Sequence, residues 1–317
     1  MTFIAKVLML VLSAAVFMAA QTDSTGIKLI EQRKFQEAQS FFESAVKKNK
    51  KDPESRYYLA LTLMLQSKTD EAEDEIDEAI DLNENVARYH LMRGNILGQR
   101  AMRANVISQG FLAPKIKNAY LRASELDPEN VEARIALFNY YLIAPGIMGG
   151  SEEKAFEQAT AVQRLMPFRG HMMLSGYYLR AKKDTARAEK ELRSAIAADP
   201  ARGAGYKQLG YFLMNAKRYQ EAYGHMSAYI EREPTNADAY DSYADVLKAE
   251  GKYEQAVEQY RKALALDKNF SASIFAIAEC YEQMGQKQKA KETYQWFLAV
   301  EPNGRRSESA TKKIKEL

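Results

Sequence analysis

From residue 203 onward, apolar and polar positions recur along the chain with a period of 34. "GAGYKQLGYFLMNAKRYQEAYGHMSAYIEREPTN" is followed in register by "ADAYDSYADVLKAEGKYEQAVEQYRKALALDKNF" and "SASIFAIAECYEQMGQKQKAKETYQWFLAVEPNG". Each period holds a large residue, another three positions on, a small one next and a large one beyond, as in Tyr206, Leu209, Gly210 and Leu213. Its second half carries Ala222, Met226 and Pro234. Equivalent residues one period later are Tyr240, Tyr243, Ala244, Leu247, Ala256 and Tyr260, and then Ile274, Ile277, Ala278, Tyr281, Ala290, Tyr294 and Pro302. Spacings of three and four place such residues on one face of an α-helix. Every period therefore predicts two amphipathic helices, with proline beyond the second, where a missing N–H does no harm.

The pattern extends towards the N-terminus. Residues 169–202 fit with Met172, Gly176, Leu179, Ala188, Leu192 and Pro200, and residues 54–86 with Tyr58, Leu61, Leu65, Ala72, Ile76 and Ala79. Residues 131–168 fit through Leu137, Tyr141, Ala155 and Pro167 but run about five longer. Residues 87–130 fit through Gly94, Leu97, Tyr120, Ala123 and Pro128 with about ten extra. Residues 22–53 give a weaker first copy (Gly26, Leu29, Ala38, Phe42, Ala45), and 305–317 read as a polar capping helix. No linker or second domain interrupts the series. The pattern resembles the tetratricopeptide repeat over nearly the whole length. That resemblance implies an all-α, right-handed superhelical solenoid of about eight helical hairpins, each burying its apolar stripes against its neighbours.

Both long copies carry their extra residues between their two helices, so 98–115 and 143–151 should lie side by side on one edge. The second is "APGIMGG" followed by "SEEKA", and glycines ahead of a helix raise the question of phosphate binding. A nucleotide loop needs two glycines five apart, then a lysine and a hydroxyl residue. Gly146 is instead followed five positions on by Ser151 and then by Glu152 and Glu153, acids where an anion would sit. The stretch reads better as a turn: Pro145 ends one helix, Gly149 and Gly150 reverse the chain, and Ser151 caps the next helix. Ile147 and Met148 are expected to pack on Val106, Ile107, Phe111 and Leu112. The stretch also resembles a recurring subgroup of bacterial exported or envelope tetratricopeptide proteins, in which "LDPENVEAR", a "YYL.APGI.GG" turn and "KA" follow one another.

The N-terminal segment changes the expected compartment. "MTFIAKVLMLVLSAAVFMAAQ" has one early charge, Lys6, an apolar run from Val7 to Ala20 and a small-residue end. It reads as a signal peptide over 1–20, cleaved near Gln21, with an uncleaved anchor as the alternative. The mature protein is then expected in the periplasm or cell envelope, without stable membrane insertion. Charge is nearly balanced, 45 basic against 42 acidic residues, which gives no case for nucleic acid. Cys280 is alone, which excludes an intrachain disulfide and a multi-cysteine zinc site.

Chemistry finds little support. His90, His171 and His225 fall on different repeats at no metal-ligand spacing, and no hydrolase motif is visible. The acids of 69–85 read as the solvated face of a helix, attractive to Arg100, Arg103, Lys115 and Lys117. No catalytic residue, cofactor or metal is expected. First helices of stacked repeats line a concave groove, and helical phase points to Asn95, Asn139, Tyr177, Arg180, Lys207 and Tyr211 in its middle. Asp238, Asp241, Asp245, Glu279 and Glu282 follow, so the groove should turn acidic towards the C-terminus. Some tetratricopeptide domains hold a C-terminal carboxylate with a lysine and an asparagine one turn apart. Here Leu91 occupies the lysine place and Gly170 and Leu174 replace later bases, so that clamp is not expected. The expectation is an exported scaffold that binds a protein or peptide through this groove. The alternatives are a small-ligand or transporter-accessory protein with a pocket at the 98–115/143–151 edge, and a hydrolase with an unrecognised site.

Overall fold

A computed structural model of the protein describes residues 24–317, and the segment read as a signal peptide lies outside them. The described residues form helices that pair in chain order. Helix α1 (24–31) is followed by α2 (Phe35–Lys48), α3 (Pro53–Leu65) with α4 (Thr69–Leu82), and α5 (Ala87–Ala101) with α6 (Val106–Leu126). Next come α7 (Val131–Ile143) with α8 (Glu152–Leu165), α9 (Pro167–Tyr177) with α10 (Thr185–Ala198), and α11 (Gly203–Asn215) with α12 (Tyr219–Arg232). Helices α13 (Ala237–Ala249) with α14 (Tyr253–Leu266), α15 (Ser271–Gln283) with α16 (Lys287–Val300), and the cap α17 (Arg305–Glu316) complete the chain. No strand occurs among the described residues. The sequence reads as one array, whereas packing groups the hairpins into two compact units, one ending at Leu165 and one spanning Met166–Leu317.

The period reflects a crossing that only small residues permit. Ala38, Ala72, Ala155, Ala188, Ala222, Ala256 and Ala290 on the second helices are fully buried. Opposite them stand small residues of the first helices. A Cβ added to Gly94 would sit 2.3 Å from the Tyr120 ring, and one on Gly210 would sit 2.8 Å from Met226. Four positions after five of these alanines stands a bulky residue (Phe42, Ile76, Met226, Tyr260, Tyr294) that is completely enclosed. It supplies the apolar area that neither helix buries alone.

Backbone conformation marks the same period. Arg33 and Ser67, then Gly149, Lys183, Lys217, Gly251 and Gly285, all have φ between 54° and 91° and recur at intervals of 34. Each is the left-handed residue that turns a first helix into its second, a conformation glycine takes at no steric cost and other residues take at some. The third hairpin lacks such a residue, because its extra residues do not form a loop. They lengthen the helices: α6 has 21 residues and contains Pro114. Its start is fixed by Asn105, whose side chain accepts from the Ser108 N–H at 2.9 Å. Pro167, expected to close the fourth repeat, instead opens α9 at a position where its missing N–H has no helical partner to lose.

Candidate functional site

In the first unit the lengthened α6 stands as a wall beside the first helices. Leu91, Asn95 and Gly98 of α5, Ile135, Ala136 and Asn139 of α7, and Gln109, Ala113, Ile116 and Tyr120 of α6 enclose a cleft of about 710 Å³. Ala144, Pro145 and Met148 of the following turn close one end. The walls are aliphatic and aromatic, and the polar groups are few. Asn95 is held by the Tyr120 hydroxyl, which donates to its Oδ1 at 3.0 Å. Burial pushes that phenol up to about 12. Asn139 is exposed on the same lining. Two groove residues read from helical phase thus meet in one cleft. Leu91, Ile116, Tyr120, Ile135 and Met148 were missed as its lining. The signal for them was present, since Gln109, Ala113, Ile116 and Tyr120 keep helical spacing straight through the insertion.

The turn that closes the cleft is built by the residues expected. Ala144 is extended ahead of Pro145, Gly146–Met148 form a single 3-10 turn, and Gly149 is left-handed at φ 91°. Gly150 N–H donates to Pro145 O at 3.1 Å and Ser151 N–H to Tyr141 O at 2.9 Å. Ser151 Oγ accepts from the Lys154 N–H at 3.3 Å, the capping role assigned to it. The Tyr140 hydroxyl donates to Met148 O at 2.5 Å and pins the turn to α7. The insertions do lie side by side: Gly110, Pro114 and Lys117 of α6 border Gly146–Gly149. The expected apolar packing between them is only partial. Leu112 is buried, but Ile147 is 95% exposed, and Val106, Ile107 and Phe111 also face solvent.

In the second unit, Arg180 and Tyr211 line a separate cleft of about 670 Å³ with Met172, Leu192 and Phe212. Arg180 is exposed on the single π-turn Tyr178–Lys182. The remaining groove positions have turned to their neighbours. Lys207 Nζ lies 2.5 Å from Asp238, Lys248 Nζ 2.9 Å from Glu279, and Lys313 Nζ 2.6 Å from Glu282. Each pair is 31 residues apart and joins one first helix to the next, or to the cap. The Tyr211 hydroxyl donates to Asp245 at 3.0 Å and accepts from the Ser242 hydroxyl at 3.1 Å, while Tyr260 donates to the other Asp245 oxygen at 2.6 Å. The acids expected to give the groove a negative end are therefore engaged within the protein. Two expected groove residues are buried outright. Tyr177 is 4% exposed with its ring against Tyr178, and Asp241 is 8% exposed and accepts from Ser273 at 2.6 Å.

The histidines stay apart. His90 is buried with Nε2 2.8 Å from Glu84 O, His171 pairs with Glu191 at 2.6 Å, and burial lowers the affinity of His225 for a proton. Among the described residues no group of three or more potential ligands could hold a metal ion. Cys280 is fully buried and its thiol is pushed up to about 12 by burial. Of the four bases expected to attract the acids of α4, Arg100 meets them, beside Asp70 and Glu73, and Arg93, which was not among the four, lies beside Asp77.

Residues 29–96, 173–237 and 247–307 match family models described as tetratricopeptide repeat, in keeping with the paired helices and the turn that recurs at intervals of 34. The chain carries tetratricopeptide repeats. Its fold class is all-α, of the tetratricopeptide solenoid type. A crystal structure of the APC/C hetero-tetramer Cut9-Hcn1 contains a chain similar to it, with TM-score 0.51 and 16% identity. The likeness covers 89% of this protein and 52% of that chain, so the protein spans about half the length of its structural relative. At that identity the likeness concerns the fold alone. No curated protein matches the sequence. Tetratricopeptide repeats in general mediate protein–protein interaction, and scaffolds of this kind are generally non-catalytic.

Proposed function

We propose that the protein is an exported, non-catalytic tetratricopeptide scaffold that binds a protein or peptide partner through the groove formed by its first helices. The observation that carries this reading is the cleft of the first unit, where Asn95 and Asn139 stand among aliphatic and aromatic walls. An amide side chain offers both donors and acceptors and can satisfy the backbone of an extended segment. The apolar walls take one or two side chains of that segment, and burying such an anchor supplies most of the affinity at interfaces of this kind. Export is supported by the charged start, short apolar run and small-residue end of residues 1–20.

Two measurements test the reading. N-terminal sequencing of the protein recovered from the cell envelope should begin at Gln21, and an intact Met1 in the cytoplasmic fraction would remove export. Capture of partners by the full chain from envelope extract should weaken about tenfold or more with Asn139→Ala or Ile135→Glu. If every captured partner binds both variants as well as the parent, the groove is not the site.

A further inference from the structure

Four large apolar side chains at one edge of the first unit belong to neither core nor cleft. Val106, Ile107 and Phe111 on α6 and Ile147 on the turn are between 71% and 95% exposed. Scattered exposed apolar residues are ordinary, but these are grouped. Ile107, Phe111 and Pro114 follow at intervals of four and three, one stripe of the helix. Ile147 borders the same recess as Gly110 and Pro114. The opposite stripe, Gln109, Ala113, Ile116 and Tyr120, faces the cleft. The first half of α6 is thus apolar on two sides, and only one of them is covered.

The stretch of chain that bears most of the uncovered side carries charge of one sign. Residues 85–124 contain seven lysines and arginines and no acid, in a chain that is otherwise nearly neutral. Four of the seven are paired: Arg88 with Glu54, Arg93 with Asp77, Arg100 with Asp70 and Glu73, and Arg122 with Glu125. Arg103, Lys115 and Lys117 form no ion pair among the described residues. Arg103 and Lys115 line a recess together with Phe111. The Lys117 ammonium lies against the turn, 3.1 Å from where a Cβ on Gly149 would stand. Asp70, which lines the same recess, and Glu73 face Arg100, and Glu152 and Glu153 are exposed at the start of α8 beyond the turn.

We infer that this edge docks on an anionic phospholipid surface, with Val106, Ile107, Phe111 and Ile147 entering the headgroup–acyl boundary. Arg103, Lys115 and Lys117 then lie at the level of the lipid phosphates. Protruding apolar tips ringed by cations fit that boundary, where apolar groups sink a few ångströms and basic stems extend to the headgroups. A stable protein partner would engage roughly 20–30 residues a side, far more than these four. The contact is peripheral, since no helix of the described residues is long and apolar enough to cross a membrane. It leaves the cleft open to its own partner, because α6 turns a different stripe to each.

The buried Cys280 allows a clean test, since an introduced surface thiol is then the one that reacts. The full chain carrying Ile147→Cys, or Glu308→Cys on the exposed face of α17 as a control, is labelled with an environment-sensitive dye. It is mixed with vesicles of phosphatidylethanolamine containing about one-third phosphatidylglycerol. The dye at 147 should shift to the blue and be quenched by nitroxide-bearing lipid, and the dye at 308 should do neither. Lys115→Gln with Lys117→Gln should weaken binding roughly 25-fold, about fivefold for each cation removed. A dye at 147 that stays aqueous while the chain sediments with vesicles overturns the inference and assigns lipid binding elsewhere, such as to residues 1–20. Equal affinity for phosphatidylcholine vesicles overturns it too. So does shielding of the dye without vesicles together with a larger hydrodynamic size, which would make the edge a protein interface.

Discussion

Gly150→Ala is expected to destabilise the first unit by about 3 kcal/mol, the upper range for forcing atoms into a packed site, whereas Gly146→Ala should change stability by less than about 0.5 kcal/mol. The two glycines are four residues apart in one turn and differ in what surrounds them. A Cβ on Gly150 would fall 1.7 Å from Ala144 O, a backbone atom that no rotamer change can move aside. Nothing stands within 4 Å of a Cβ on Gly146. Relieving the clash means separating 144 from 150, which breaks the Gly150–Pro145 hydrogen bond and pulls on the Ser151–Tyr141 bond beside it. The same movement dislodges Met148 from Tyr140 and from the end of the cleft. Urea unfolding of both variants decides the matter, and equal midpoints would mean the turn is looser than its contacts imply.

Asp241→Asn should stabilise the protein near pH 7 and do little near pH 4. Burial, reinforced by the neighbouring Asp245 and Asp238, raises the Asp241 carboxyl from its ordinary 3.8 to about 6, and the Ser273 hydrogen bond and Lys248 only partly offset it. A carboxyl with a raised pKa in the folded state holds its proton more tightly there than in the unfolded chain. Its favourable contribution is therefore complete below about pH 4 and disappears as pH rises through about 6. Asparagine keeps the oxygen that Ser273 needs and never ionises. The gap between variant and parent should open between those two pH values and level off above pH 7. A difference of about two pKa steps caps it at ~3 kcal/mol. Thermal unfolding followed from pH 4 to 8 measures this directly, and a gap that is flat across the range would show that Asp241 titrates normally.

The repeat was legible because its physics is local: a small residue, a crossing and a bulky residue four positions on recur in register with the fold. The second insertion was legible for the same reason, since Pro145, Gly149, Gly150 and Ser151 each act within a few residues of themselves. The first insertion was not. Extra residues counted between two helices can lengthen a loop or the helices, and only the stripe from Gln109 to Tyr120 distinguishes the two. The groove was half legible. Positions 177, 211, 245 and 279 share one phase, but that phase lies against adjacent helices: Tyr211 reaches Asp245 on the next first helix, and Glu279 meets Lys248 on the one before. A large ring there becomes covered, which explains Tyr177, and an acid there finds a partner, which explains Asp245 and Glu279. Asn95 and Asn139 remain accessible because the wall that shapes their cleft stands to one side of them.

The left-handed residue that recurs at intervals of 34 also sets how the chain could change length. Lys217 and Gly251 occupy the same conformation and are followed by Arg218-Tyr219 and Lys252-Tyr253. Deleting 218–251 would join Lys217 to Lys252 and regenerate a turn of the same hand and nearly the same sequence, with α11 now leading into α14. Because the reversal is encoded at one backbone position, recombination between two such points removes or adds a whole hairpin without creating a new kind of junction. The number of repeats can therefore drift while the joint between them stays constant.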